Sequence, residues 1–355
     1  MALIWLDGFE AYGTGETSTT LENLLKERYT NANMDAGSQK GIIEAGTGPG
    51  KTLSFGDGSI NDFLTAGLFP VPDDEIYVSF KFFFNIPVGS SSGFLRFFNP
   101  AALEILELGI DDTKTFFVHS KGSTDQDKFY PMDWYENEWN LIEMYAKTAS
   151  APNGAYEVRI NGVTVSSGTG LNTNQTGGTT IDRVVFQNQG SGSGRKFKIK
   201  DIVINDGTGT VNNTWIGDKH VFTLFPNGDT ADEDWALSAG TDSFALVNEA
   251  SNDGGTSYIE SSTATEKTIL DYGATGSEAN IIGVSIHTVA ALDAAGSETF
   301  DDIVAEGATE TDSAAHTVAS TSYAMFDTVY ETNPDTGVAW TAAELDAIQG
   351  GVKFN

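Results

Sequence analysis

Apolar and polar residues alternate along several stretches of this chain with a period of two, the spacing of a strand with one face buried. Between 76 and 86 the alternation places Ile76, Val78, Phe80, Phe82, Phe84 and Ile86 on one face. A strand led by Trp139 runs to Tyr145, and Tyr156 to Val165 reads as a hairpin about Asn161-Gly162. That dipeptide suits a two-residue type I′ turn, which sets Ile160 opposite Val163 and puts Tyr156, Val158, Ile160, Val163 and Val165 on one face. Phe197 to Asp206 forms a further strand. Met1 to Glu10, Phe94 to Phe98, Leu103 to Ile110, Thr115 to Ser120 and Asp182 to Gln187 add strand candidates in the first part of the chain. Beyond 206 the same pattern recurs at Lys219 to Phe225, Phe244 to Val247, Lys267 to Tyr272, Ile281 to Val289 and Ser322 to Tyr330. Strands separated by Gly, Asn, Ser and Asp turns, with no alternating long helices, predict a β-sandwich rather than βαβ units.

Two short helices interrupt this pattern, near 20–29 and 342–349. Thr19-Thr20-Leu21-Glu22 and Thr341-Ala342-Ala343-Glu344 each have capping-box spacing, and Gly350-Gly351 reads as the stop of the second. The tract from Ser166 to Gly178, rich in Gly, Ser, Thr and Asn, reads as a long loop. A domain boundary is predicted at 206–214, where Asp-Gly-Thr-Gly-Thr-Val-Asn-Asn resembles a linker. The expected organisation is a β-sandwich domain over 1–205, that linker, and an acidic, mainly-β domain over 215–355.

Charge sharpens the division. The 355 residues carry a net charge of −31, of which residues 206–355, with 25 acidic and three basic side chains, contribute −22. Phosphate recognition needs clustered Lys and Arg, so neither nucleic acid nor an anionic membrane is an expected partner. The basic run Arg195-Lys196-Phe197-Lys198-Ile199-Lys200 reads as a strand with its lysines in solvent. Cysteine is absent, which excludes disulfides, thiolate catalysis and Cys-ligated zinc. The N-terminus has no basic segment before its five apolar residues and reads as a strand rather than a secretory signal. The most apolar segment, Ile76 to Val88, is too short to span a bilayer.

Few residues combine into chemistry. Ala45-Gly46-Thr47-Gly48-Pro49-Gly50-Lys51-Thr52 matches a relaxed phosphate-loop pattern, but a strand and turn follow where a helix is required, so it reads as a turn. Glu104 and Glu107 are three apart, which on a regular strand puts them on opposite faces. Glycoside hydrolysis needs two carboxyls converging on one bond, so no catalytic residue is assigned. His119, His220, His287 and His316 are scattered, without zinc spacing or a Gly-x-Ser-x-Gly elbow. Calcium is the candidate cation, with Asp206, Asp229, Asp232 and Asp234 in Asp/Asn/Gly-rich segments as its ligands. Trp134, Tyr135 and Trp235 are the candidate aromatics for stacking on a sugar ring.

The block from Glu138 to Gly209 resembles the concanavalin A-like lectin/glucanase (laminin G-like) jelly roll. Its elements are the Trp139 to Glu143 strand, the Asn161-Gly162 hairpin and Lys200-Asp201-Ile202-Val203-Ile204-Asn205-Asp206-Gly207, with a lysine where the pattern has a first aspartate. The stretch from Asn212 to Asp229, with Asn333-Pro334-Asp335-Thr336-Gly337 and Gln349-Gly350-Gly351-Val352-Lys353, is similar to virion proteins of tailed bacteriophages. The resemblance implies an all-β, N-terminal concanavalin A-like sandwich followed by a second mainly-β domain. It also implies a non-enzymatic structural protein of the phage particle, a head decoration, fibre or tail component. Such a part would assemble in the host bacterial cytoplasm, sit at the virion surface as a homo-oligomer and contact other virion proteins. The alternative is a carbohydrate-binding module or adhesin that recognises host surface glycans.

Overall fold

The computed structural model of the chain describes residues 2–14, 18–34, 41–45, 50–55, 62–67, 69, 73–85, 92–111, 113–121, 126–129, 135–174, 178–188, 196–273, 280–307 and 309–355. The chain forms two compact units, Met1–Phe222 and Thr223–Asn355. The first unit is built on the two-residue period of its strands. These are β1 (Leu3–Asp7), β2 (Asn31–Asn33), β3 (Ile42–Ala45), β4 (Lys51–Ser54), β5 (Asp62–Gly67), β6 (Glu75–Asn85), β7 (Ser92–Phe98) and β8 (Glu104–Ile110). After them come β9 (Phe116–Ser120), β10 (Gln126–Phe129), β11 (Trp139–Lys147), β12 (Gly154–Ile160), β13 (Val163–Leu171), β14 (Arg183–Asn188) and β15 (Lys196–Asp206).

Two antiparallel sheets face each other. The first has the order β13-β12-β11-β6-β15-β4-β3, with β1 also paired to β15; the second runs β10-β9-β8-β7-β14-β5-β2. Between them lies a layer of phenylalanines. Phe82 stacks on Phe94 from the other sheet at 4.5 Å, Phe80 meets Phe186 edge-on at 5.2 Å, and Phe84 stacks on Phe197 at 5.0 Å. Removing one such ring from a close-packed core costs about 3–5 kcal/mol. This is an all-β jelly-roll sandwich, as expected. The strand from 76 buries Ile76, Val78, Phe80, Phe82 and Phe84 as its alternation predicts, while Ile86 lies outside the described residues.

The Asn161-Gly162 turn has φ of 52° and 81°, the two left-handed positions of a type I′ turn, and pairs Ile160 with Val163. Asn161 does more than turn the chain: its Oδ1 accepts from the Leu141 amide at 2.9 Å and its Nδ2 donates to Asn140 Oδ1 at 3.0 Å. Two readings of this region need correction. Val163 is 46% exposed: it opens an edge strand beside the turn, paired with Ile160, and the register of that strand shifts beyond Thr164. The tract predicted as a loop from Ser166 is strand through Leu171, because backbone pairing with β12 outweighs its weak propensity. The phosphate-loop-like segment joins the hairpin partners β3 and β4, with Ala45 opposite Lys51, and its residues 46–49 lie outside the described set.

Both helices form, over Ser18–Lys26 and Ala342–Asp346. The first starts before Thr19, so Thr19 is not its cap, and Glu22 pairs with Lys26 one turn on. The second has the predicted capping box: Thr341 Oγ1 accepts from the Glu344 amide and Glu344 Oε2 from the Thr341 amide. Gly350 and Gly351 are strand rather than a helix stop. A Cβ on Gly351 would stand 2.0 Å from the Thr268 carbonyl oxygen, so close backbone approach explains the glycine. Among the described residues no helix is long and apolar enough to cross a membrane.

In the second unit, Pro226–Glu233, Lys267–Tyr272, Gln349–Phe354, Glu298–Glu306 and Thr309–Asp312 pair in that order, with His316–Val318 beside Glu298–Glu306. Val284–Ala290 and Ala324–Tyr330 form a separate ribbon. One carboxylate ties ribbon to sheet. Asp302, 0% exposed, accepts from Thr288 Oγ1 and Thr328 Oγ1 at 2.6 Å each, and lies 2.9 Å from His316 Nε2. A buried carboxylate is tolerated when its lone pairs are satisfied in this way. Replacing Asp302 with Ala removes the shared partner of two hydroxyls and an imidazole, so chemical denaturation should show the second unit destabilised by about 3 kcal/mol. Thr288→Val, which removes a single donor, should cost about 1 kcal/mol.

Candidate functional site

The outer face of the second sheet carries a group of charged side chains that a strict alternation would not bring together. Strand β8 pairs with β7 through Phe97 opposite Leu106 and Phe98 opposite Glu104, so Ile105 is an extra residue, a β-bulge. Ile105 and Leu106 both enter the core, and Glu104 and Glu107 emerge on the same outer face. The expectation that three-residue spacing separates them is therefore corrected by the bulge. Arg96 on β7 reaches both acids, with Nη2 2.7 Å from Glu107 Oε1 and Nη1 3.5 Å from Glu104 Oε2. Lys121, just past β9, also reaches both, at 2.8 Å from Glu107 Oε2 and 3.2 Å from Glu104 Oε1. These two oxygens share one ammonium and so lie no more than about 6 Å apart.

His119, opposite Glu107 in the β8–β9 register, extends the group. Its Nδ1 lies 2.9 Å from Lys121 Nζ. An ammonium has no lone pair to offer, so Nδ1 accepts and the ring proton sits on Nε2. Gly93 on β7 makes room for Glu107, since a Cβ there would stand 1.8 Å from Glu107 Oε1. The two acids have different surroundings. Burial raises the pKa of Glu104 above the usual carboxylate value, and Glu107 raises it further, while Arg96 and Lys121 pull the other way. Glu107 receives charge-assisted hydrogen bonds from Arg96 at 2.7 Å and Lys121 at 2.8 Å. Two neighbouring carboxyls with unlike surroundings are the arrangement from which acid and base roles are drawn.

The residues singled out in the sequence lie elsewhere. Trp134 falls outside the described residues. Tyr135 is 53% exposed at the entry to β11, where its amide donates to Asn140 Oδ1 at 3.0 Å. Trp235, in the second unit, is half-buried and donates from Nε1 to the Glu266 carbonyl at 3.1 Å. Asp206 belongs to the first unit, where its Oδ1 accepts from the Thr208 amide and hydroxyl at 2.9 and 2.6 Å, as in a turn. In the second unit Asp229 Oδ1 accepts from the Phe244 amide at 2.7 Å, Asp232 pairs with Lys267 at 3.4 Å, and Asp234 Oδ2 accepts from the Lys267 amide at 3.3 Å. Each of these carboxylates is thus engaged by protein donors. Among the described residues no three His, Cys, Asp or Glu side chains group as a metal site requires.

No family model matches this chain, and no curated protein matches it. Solved structures do resemble it. The endo-β-1,4-glucuronan lyase of the fungus Trichoderma reesei covers 54% of this chain with 95% of its own, at 10% identity and a TM-score of 0.38. An alginate lyase covers 56% with 95% of its own, at 13% identity and a TM-score of 0.41. The sialidase of Trypanosoma rangeli covers 49% of this chain with 27% of its own, at 13% identity and a TM-score of 0.33. At these values the likeness is one of β-sandwich architecture, and no residue role is carried over. Where the sequence suggested a non-enzymatic virion part, these architecturally similar structures are instead described as enzymes of carbohydrate chemistry.

The charge balance at Glu104 can be tested directly. Lys121→Met removes one of the two cations that lower its pKa, so the carboxyl-carbon NMR titration of Glu104 should move to higher pH. An unchanged midpoint would remove Lys121 from the site.

Proposed function

We propose that this protein is carbohydrate-active and binds a glycan on the outer face of its second sheet, with Glu104 and Glu107 acting on the bound sugar as an acid–base pair. The observation that carries this reading is the bulge at Ile105, which sets two carboxylates of unlike environment side by side on one face. Arg96, Lys121 and His119 surround them with donors suited to sugar hydroxyls and carboxylates. Glycosidic cleavage uses a carboxylic acid to protonate the departing oxygen and a second carboxylate to attack or to activate water. In this assignment Glu104, whose pKa is raised by burial, supplies the proton, and Glu107, oriented by Arg96 and Lys121, is the carboxylate.

The test is release of new sugar ends from neutral β-glucans and from uronate polysaccharides such as glucuronan and alginate, alongside binding measured by calorimetry. Glu104→Gln and Glu107→Gln should each lower turnover by about 10²- to 10⁴-fold, with glycan affinity changed far less. Binding without turnover in the wild-type chain would reduce the site to recognition. Absence of both, across the panel and with the fold intact, would refute the reading.

A further inference from the structure

After β15 the chain crosses back over the outer face of the first sheet. Residues 207–222 form no helix or strand, yet they are pinned at successive points. Asn205 Nδ2 donates to the carbonyls of Asn212 and Thr214 at 2.6 and 2.9 Å. The Trp215 ring meets Tyr77 edge-on at 5.3 Å and lies 3.9 Å beneath the Arg159 guanidinium. The Gly217 amide donates to Glu143 Oε1 at 2.9 Å, and Asp218 pairs with Lys81 at 2.5 Å. The strap ends on Asp201, whose Oδ1 lies 2.7 Å from His220 Nδ1 and accepts from the Val221 amide at 3.0 Å.

That last anchor is built in an unusual way. Asp201 is 4% exposed and sits at φ 54°, beside the point where the neighbour of β15 changes from β4 to β1. His220 Nε2 and both carboxylate oxygens of Glu10 are buried without a hydrogen-bond partner. They flank one glycine: a Cβ on Gly50 would stand 2.8 Å from His220 Cε1 and 3.1 Å from Glu10 Oε1. Gly8 accepts the strap as closely, since a Cβ there would meet the Val221 carbonyl oxygen at 2.1 Å and Glu10 Oε2 at 2.4 Å. The other charges facing this junction are Asp7, Lys51 and Lys200. Asp7 is engaged by Arg28, Tyr12 and Tyr29, Lys51 donates to the Glu10 backbone carbonyl at 2.7 Å, and Lys200 stands 3.9 Å from Asp201.

We propose that the Glu10–His220–Asp201 junction is a protonation-dependent latch that holds residues 214–222 on the first sheet and releases them as Glu10 and His220 lose their protons. With Glu10 neutral and His220 cationic, the junction has one buried carboxylate, Asp201, facing one imidazolium. With both deprotonated, two carboxylates face a neutral ring that keeps a single N–H, which can serve Asp201 but leaves the Glu10 carboxylate uncompensated. Release uncovers Tyr77, Glu143 and Lys81 together, an aromatic and charged strip that the strap otherwise occupies.

The direction of the pH dependence follows from both groups. Burial raises Glu10 from 4.5 to about 7; its own backbone amide and His220 oppose the rise, and Asp7 and Asp201 add to it. In the open state this carboxyl ionises first, so closure weakens as pH climbs between those values. His220 is raised above 6.5, chiefly by its hydrogen bond to Asp201, so its contribution is complete below 6.5 and is lost above the raised value. Both effects favour the closed strap in acid.

Amide hydrogen exchange of residues 214–222 in the full chain, corrected for intrinsic rates, tests the latch. Protection should fall by at least about tenfold between about pH 5 and about pH 8.5, since each unit of linked pKa difference is worth a factor of ten. Glu10→Gln with His220→Gln, which keeps neutral side chains throughout, should flatten the profile. A flat wild-type profile overturns the proposal whether or not the variants fold. So does a double variant that folds and keeps the wild-type slope.

Discussion

The face on which a strand side chain emerges is set by counting, and every contact on a sheet surface inherits that count. In β8 the count is shifted by one residue. Ile105 is absorbed into the core opposite no partner of its own on β7, and from that point Glu104 and Glu107 share a surface. His119 and Lys121 then converge on them because β9 keeps regular register with β8 past the bulge, and Arg96 reaches them from β7. Without the extra residue Glu104 would turn toward the phenylalanine layer, where an unpaired carboxylate costs several kcal/mol.

The same core explains what could be read from the sequence. Strand β6 was legible because five alternate apolar residues have nowhere to go but the inter-sheet layer. The Asn161-Gly162 turn was legible because two consecutive positive φ values favour that pair. The Thr341 box was legible because both hydrogen bonds are local. The bulge was not, since it exists only in the pairing of β8 with β7, and no local property of Leu103 to Ile110 announces it. The second part of β13, Ser166 to Leu171, was missed for the same reason: its serines, threonine and glycines are strand because β12 supplies their partners. Gly350 and Gly351 were misread because the neighbouring backbone that requires glycine lies some eighty residues earlier in the chain. The candidate site was therefore present in the sequence as residues but absent as a constellation.

Charge is distributed with economy in a chain of −31 with 19 lysines and arginines. Arg96 and Lys121 are committed to one acid pair, Lys81 and Arg159 to the strap, and Arg28 to Asp7. In the second unit two lysines, Lys267 and Lys353, remain, and its most buried carboxylate is satisfied instead by hydroxyls and a histidine. Among the described residues Glu10 meets no salt-bridging cation, and burial pushes its pKa up to about 7.

The central claim is that the bulged face of the second sheet handles sugar. A crystal structure of the chain bound to an oligosaccharide that it retains in solution addresses this most directly. The account predicts a sugar ring over β8 and β9, with Glu104 and Glu107 each within hydrogen-bond reach of the saccharide and Arg96 or Lys121 drawn from the acid pair toward it. A sugar seated on the first sheet, or one that leaves Glu104 and Glu107 paired as they are without ligand, would contradict it.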